Sequence, residues 1–450
     1  MNITVRRILF YSFVVLFLIS AVCLILYANG YRWNPSKNAL EQTGGLVLET
    51  KPGGAKATIN GRVQESFLGA LFHKPEFQTP LRVEYILPGT YEVLLEKMGY
   101  WPWKNQVSVE VQKTTYRTDV RLLPHVDAEL VAALPEGDAH IVSRDSNSLL
   151  IADSVGLARI DVRSGALERV YTAKDTMEDV TVSSGGTMIA WKEGAGYKIM
   201  ATGTKRTVWD IPVGVEVVNA FAPTESGAVF GNKKGIFIFD TTTGTTVLWR
   251  KDIAVALAVH GGTLFFAVEQ GGKTRVWQGA IAGGATPERV MDIDEIGLAF
   301  HEEVPGGQYL FASHTNGYLI PLSRAKKPVI LPQVTDIDAT LFATNGVLYG
   351  VNPIEVWRFT VSADSVSQDL ITRHGNISAP VLAIPETNYV AYMQDGTTLI
   401  AQDTSTGNDN IYPLTTFEKI TDASFDPKKV SLYVVGKREG VWGVYQESLE

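Results

Sequence analysis

From about residue 126 to the C-terminus one pattern recurs. A short apolar strand is followed by a polar turn, a second strand, a glycine-containing turn and a third strand. Three copies read "SLLIADSVGLARIDVRSGALERV", "TMIAWKEGAGYKIMATGTKRTVW" and "AVFGNKKGIFIFDTTTGTTVLW". The copies begin near Leu149, Thr187, Ala228, Thr263, Tyr309, Val347, Tyr389 and Ser431, at spacings of 38, 41, 35, 46, 38, 42 and 42 residues. A period near 40 residues with three or four strands per unit is the signature of a β-propeller. Eight blades are expected, with seven as the alternative if one unit is irregular. The last unit has only three strands before the chain stops, and "DAELVAAL" (127–134) is an orphan strand ahead of the first. A ring leaves no open sheet edge only if its two ends pair, so this orphan is expected to complete the final blade.

The N-terminus reads differently. "RRILFYSFVVLFLISAVCLILYANGYRW" holds an uncharged run from Ile8 to Tyr27, long enough as a helix to span the ~30 Å hydrocarbon core. Arg6 and Arg7 sit on its N-terminal side, and Tyr27, Tyr31 and Trp33 fall where an aromatic belt would anchor the other end; these five are the expected membrane-interface residues. A cleaved signal peptide is the competing reading, but the run exceeds the usual apolar region and no small-residue cleavage site follows. "SAVC" is a weak lipoprotein box, since Val22 precedes the cysteine and "LILY" continues the apolar run. The expectation is a retained single-pass anchor in the cytoplasmic membrane, with residues 1–7 as a cytoplasmic tail and 8–27 as the span. A linker at 28–43 then leads to an extracytoplasmic remainder, because long domains cross largely regardless of charge.

Residues 44–124 alternate apolar and polar in six or seven short strands, the pattern of a small β-sandwich. "KPGGAKATINGR" places Ala57 and Ile59 on one face, ahead of an Asn60-Gly61 turn suited to a tight hairpin. "YEVLLEK" sets Tyr91, Val93 and Leu95 on one side. The segments "KPGGAKATING", "TPLRVEYILPGTYEV" and "KMGYWPWKNQVSVEV" resemble a PEGA domain at Pro52, Gly54 and Ala55, at Asn60-Gly61, Thr79-Pro80 and Pro88-Gly89, and at Gly99-Tyr100. Two departures stand out: Gly53 occupies the place of the motif's glutamate, and "VQESFLGALFHKPEF" is inserted before Thr79. The resemblance implies an extracytoplasmic surface or interaction module with no catalytic residues to carry over. "VSSGGTMIAW" and "FDTTTGTTVLW" resemble propeller blades of the WD40 or TolB type. The whole resembles bacterial membrane-anchored PEGA-domain proteins with propeller tails.

Which chemistry does this permit? A net charge of −8 without a dense basic stripe argues against a nucleic-acid partner. The single cysteine, Cys23, rules out an internal disulfide or a cysteine-based metal cluster. No pair of histidines stands at helical i, i+4 spacing, and no nucleophile elbow, phosphate loop or dinucleotide fingerprint occurs. His301-Glu302-Glu303 and the loop from Asp403 to Asn410 carry ligand-type atoms, yet such residues also dominate ordinary turns. No catalytic residue, metal or cofactor is therefore expected. Tyr100, Trp101 and Trp103, in "GYWPW", remain as candidate contacts. They have three readings: packing at a domain junction, docking of a protein or glycan, or contact with the bilayer interface. In an extended segment Trp101 and Trp103 would share one face.

The sequence thus describes an all-β chain: a transmembrane helix, a PEGA-like β-sandwich (44–124) and a C-terminal β-propeller (125–450). The expected role is non-enzymatic binding or scaffolding at the cell envelope. The partners expected are the bilayer, through the helix, and an envelope protein or cell-wall glycan. A propeller-based hydrolase and an envelope sensor subunit are the alternatives.

Overall fold

The computed structural model describes every residue except 1–2, 36, 64–77, 136–138, 146, 204–206, 213–217, 219, 283–285, 304–308, 314–315, 323–327, 332–339, 345–346, 362–365, 385–386, 406–409, 427 and 450. The chain forms two compact units. One is Met1–His125 with Ser405–Tyr412; the other is Val126–Thr404 with Pro413–Leu449.

The first unit opens with helix α1 (Ile3–Ala28). Its segment Val5–Ala28 has a mean hydropathy of 2.8 and is long and apolar enough to cross a membrane. Its apolar side chains Phe10, Phe13 and Leu24 are all exposed among the described residues. The helix ends at Gly30, whose φ of +80° suits a residue without a Cβ. The stretch read as a linker then forms a hairpin of β1 (Tyr31–Asn34) and β2 (Ala39–Gln42), with Trp33 opposite Leu40 and Arg32 opposite Glu41. Asn34 and Lys37 each hydrogen-bond the Glu41 carboxylate at 2.7 Å. These bonds, Lys37 first, hold that carboxyl below its usual range.

Seven strands follow: β3 (Gly44–Lys51), β4 (Lys56–Ile59), β5 (Arg62–Val63), β6 (Leu81–Ile86), β7 (Gly89–Glu96), β8 (Trp103–Val109) and β9 (Thr114–Arg121). They make two sheets, ordered β6-β3-β9 and β5-β4-β7-β8. Asn60 (φ 47°) and Gly61 (φ 73°) form the expected tight turn. Alternate residues point inward, so Leu46, Leu48, Ala57, Val93, Leu95 and Val107 meet in one core and are fully buried. The insertion after Val63 lies outside the described residues.

In the second unit the described residues form eight four-stranded antiparallel sheets. Blades 1 to 7 lie at 140–172, 177–211, 220–250, 256–293, 299–331, 340–373 and 377–416. Each is a simple meander, its strands paired in sequence order. Blade 8 differs. Its strands Lys419–Asp426, Ser431–Arg438 and Val441–Ser448 come from the C-terminus, and its outer strand, Glu129–Ala133, comes from the start of the unit. The pairing Glu129↔Gln446, Leu130↔Tyr445, Ala132↔Val444 closes the ring. The eight-bladed expectation and the role of the orphan strand both follow from this sheet order. The recurring unit seen in the sequence begins at each blade's second strand.

Middle strands are packed on both faces by neighbouring blades, so they are apolar throughout rather than alternating. Gly227–Asn232 is buried at every position. The cores therefore lie between blades: Tyr433 and Val435 of blade 8 meet Leu149, Ile151 and Ile160 of blade 1. Polar staples cross the same seams. Asp422 accepts from the Ile141 amide at 2.7 Å, and the Glu225 carboxylate collects Ser183, Ser184, the Gly185 amide and Thr187. Glu193 accepts from Tyr171 at 2.6 Å and from the Trp191 indole at 3.2 Å, inside the seam between blades 1 and 2.

Glu447, in the closing blade, is 1% exposed, and among the described residues neither carboxylate oxygen has a hydrogen-bond partner. Burial, with the charge of Asp127 adding to it, pushes its carboxyl from 4.5 to about 8, against the pull of Arg438. The folded-state value lies above the unfolded one. Its contribution to stability is therefore complete below the unfolded value and lost as pH rises through the folded one. The loss is at most about 1.4 kcal/mol per pH unit. Thermal unfolding between about pH 5 and about pH 8.5 should show Tm falling as pH rises, and Glu447→Gln should flatten that slope. An unchanged slope in the variant would contradict the assignment.

Candidate functional site

Each blade's first strand has a hydrogen-bonded neighbour on one side only, within its own sheet. The first strands of blades 1 to 5 surround a cavity of about 1100 Å³. That volume exceeds a typical small-molecule pocket. Apolar side chains, Ile141, Val180, Val182, Phe221, Leu257 and Val259 among them, share the wall with polar groups. Five titratable groups lie on it: His140, Asp153, Glu178, Asp179 and His260.

Local irregularity presents the acidic pair. The register of blade 2 shifts between Glu178 and Thr181, and Asp179 takes a left-handed conformation at φ 52°. Such a bulge re-aims side chains next to a cavity. Glu178 is held by Lys192 at 2.7 Å. Asp153, also on the wall, is clamped by Arg169 at 2.8 Å and caps the turn through the Val155 and Gly156 amides. Among the described residues no group of three or more metal-ligating side chains is assembled. The arrangement offers a broad surface of mixed apolar and polar side chains with strand edges and one acidic spot. The five titratable wall residues are scattered between positions 140 and 260 of the sequence. Only their shared place in the first two strands of a blade could have signalled them.

The "GYWPW" segment separates its rings. Trp103 begins β8 and is 4% exposed in the sandwich core. Tyr100 packs against that core from the edge, and its backbone bridges Pro124. Trp101 is half-buried: its amide donates to the Leu123 carbonyl at 2.8 Å. Its ring lies 4.4 Å from His125 and 5.6 Å from Tyr412, nearly parallel to the latter. The Tyr412 hydroxyl donates to the Pro102 carbonyl, and Asn410 hydrogen-bonds both the amide and the carbonyl of Lys104. The two tryptophans do not share a face, because the regular strand starts only at Trp103.

At the helix, Arg6, Arg7, Tyr27 and Trp33 are exposed and Tyr31 is half-buried. The side chains of His301 to Glu303, and residues 406–409 of the Asp403–Asn410 loop, lie outside the described residues.

Trp103→Ala should cost about 3–5 kcal/mol. Trp101→Phe keeps a ring in the stack and removes an indole N–H that is buried without a partner among the described residues, so it should change stability by less than about 1 kcal/mol. Denaturant unfolding of the two variants checks this ordering. Equal losses would contradict these placements.

Among solved structures the chain is similar to the computationally designed protein Ika8, at 13% identity over 71% of this chain and 100% of that one, with a TM-score of 0.48. It is also similar to the β-propeller domain of Myceliophteria thermophila Cps50 (Swd1), at 10% identity over 71% and 100%, with a TM-score of 0.41. A third similarity is to hydrazine synthase of Kuenenia stuttgartiensis, at 15% identity over 72% and 98%, with a TM-score of 0.40. No curated protein matches the chain. Residues 43–125, the two-sheet sandwich built from β3 to β9, match the PEGA domain.

Proposed function

We propose that this protein is a membrane-anchored, extracytoplasmic binding or scaffolding protein whose propeller channel receives a partner. In this reading α1 is retained as the anchor. PEGA domains are extracellular modules, which supports export of everything after the helix. The sandwich then serves as the membrane-proximal spacer.

One observation carries the binding role: the channel is large, its wall sets apolar side chains beside polar groups, and two of its carboxylates are already tied up by Lys192 and Arg169. Acid–base hydrolysis needs a pair of positioned, available groups. Binding needs a desolvating surface with a few polar fixing points, which is what the wall provides. Strand edges favour a polypeptide over a glycan, since an extended segment can hydrogen-bond an open edge while its side chains fill apolar recesses. Glycan stacking would call for exposed aromatic platforms, and Phe221 instead lies 4.9 Å from Tyr197 in a stacked pair.

A photo-crosslinking residue at Thr181, on the channel wall, should capture a discrete polypeptide in intact membranes. The same residue at Val247, exposed on an outer strand, should not. Capture from Val247 alone would move the binding surface to the rim.

A further inference from the structure

The hairpin after α1 has its faces the unusual way round. Arg32, Asn34 and Glu41 alternate with Tyr31, Trp33 and Leu40 along the paired strands. The polar set is the one turned inward: Asn34 is buried and bonded to Glu41. The apolar set is turned out. Trp33 is 54% and Leu40 50% exposed, although they are direct cross-strand partners.

The hairpin is also pinned to the helix end. Thr43 donates to the Gly30 carbonyl through both its amide, at 3.0 Å, and its hydroxyl, at 2.7 Å. Arg32 donates to the Tyr27 carbonyl at 3.0 Å. Its guanidinium lies over the Tyr27 ring at 3.6 Å and over the Tyr85 ring at 4.5 Å. Tyr85 belongs to the sandwich. It is the extra residue of a bulge, since Gly44 pairs with Ile86 and Gly45 with Glu84, and it adopts φ 58°. A left-handed bulky residue is strained, and such strain persists where a side chain must be aimed. Here it aims the ring at Arg32.

We infer that the hairpin's Tyr31–Trp33–Leu40 face is embedded in the headgroup boundary of the membrane that α1 crosses, with Arg32 clamped between Tyr27 and Tyr85 to fix the sandwich to the span. The inference rests on reading α1 as a retained anchor. Position argues for lipid as the occupant. The apolar run Ile8–Tyr27 is about 30 Å long as a helix and so fills the hydrocarbon core. Tyr27 then marks the core's edge, and Trp33 and Leu40, held to the helix end, lie at the level where aromatic residues partition best.

The test uses the full chain in phosphatidylcholine vesicles, in a Cys23→Ser background. An environment-sensitive fluorophore is attached through Leu40→Cys or, separately, through Leu16→Cys in the helix. Quenching is read with lipids spin-labelled at a shallow or a deep acyl position. The expected result is deep quenching at position 16 and shallow quenching at position 40, with Arg32→Ala lowering the latter about twofold or more. Deep quenching at position 16 with none at position 40 overturns the inference while the anchor stands. No quenching at either position overturns the anchor reading and this inference together. Shallow quenching at position 40 that ignores Arg32→Ala overturns the clamp.

Discussion

The fold of the larger unit depends on one pairing, Glu129–Ala133 against Val441–Ser448. Every other blade is a local meander whose strands come from about 40 consecutive residues. A row of such meanders has two open ends, each with unpaired backbone groups and a bare apolar face. Joining the first strand of the unit to its last hairpin removes both ends. The same pairing lets blade 8 pack on blade 1, where Ala132, Tyr433 and Val444 meet Leu149, Ile151 and Ala158 in one core. Asp422 and Asp426 of blade 8 then add a backbone bond to Ile141 and an ion pair with Arg144. The channel exists because the ring is closed.

Function follows from what closure leaves over. Apolar middle strands are used up in the seams, so the binding potential of the propeller is confined to its first strands and its loops. The wall of the channel retains apolar side chains, open backbone edges and the Glu178–Asp179 bulge. At the other end of the chain, the apolar side chains of α1, Phe10, Phe13 and Leu24 among them, are exposed, and Arg32 contacts the helix only at its end. The hairpin that follows turns its apolar face outward, and strain at Tyr85 goes into holding Arg32.

Much of this was legible in the residues. The spacing of the apolar runs marked the blades, because middle strands sandwiched between neighbours must be apolar throughout. Asn60-Gly61 announced its turn, because both residues adopt positive φ. First strands were not legible: "HIVSR" and "MEDVTV" mix charges with apolar residues, since one side faces a channel. The hairpin at Tyr31–Gln42 was hidden in "NPSKNALEQT", whose polar composition imitates a linker while Asn34 and Glu41 are paired internally. Trp101 and Trp103 looked like one face because alternation was assumed to begin before Trp103. The Trp101 amide instead bonds the Leu123 carbonyl, and Tyr412 lies about 300 residues away in sequence, beyond the reach of local pattern.

Closure is tested most directly by amide hydrogen exchange on the full chain. The account predicts that the amides of Glu129–Ala133 exchange as slowly as those of Val441–Ser448, because the two open only together. Fast exchange in Glu129–Ala133, beside slow exchange in Val441–Ser448, would mean that the ring is not closed by the chain's two ends.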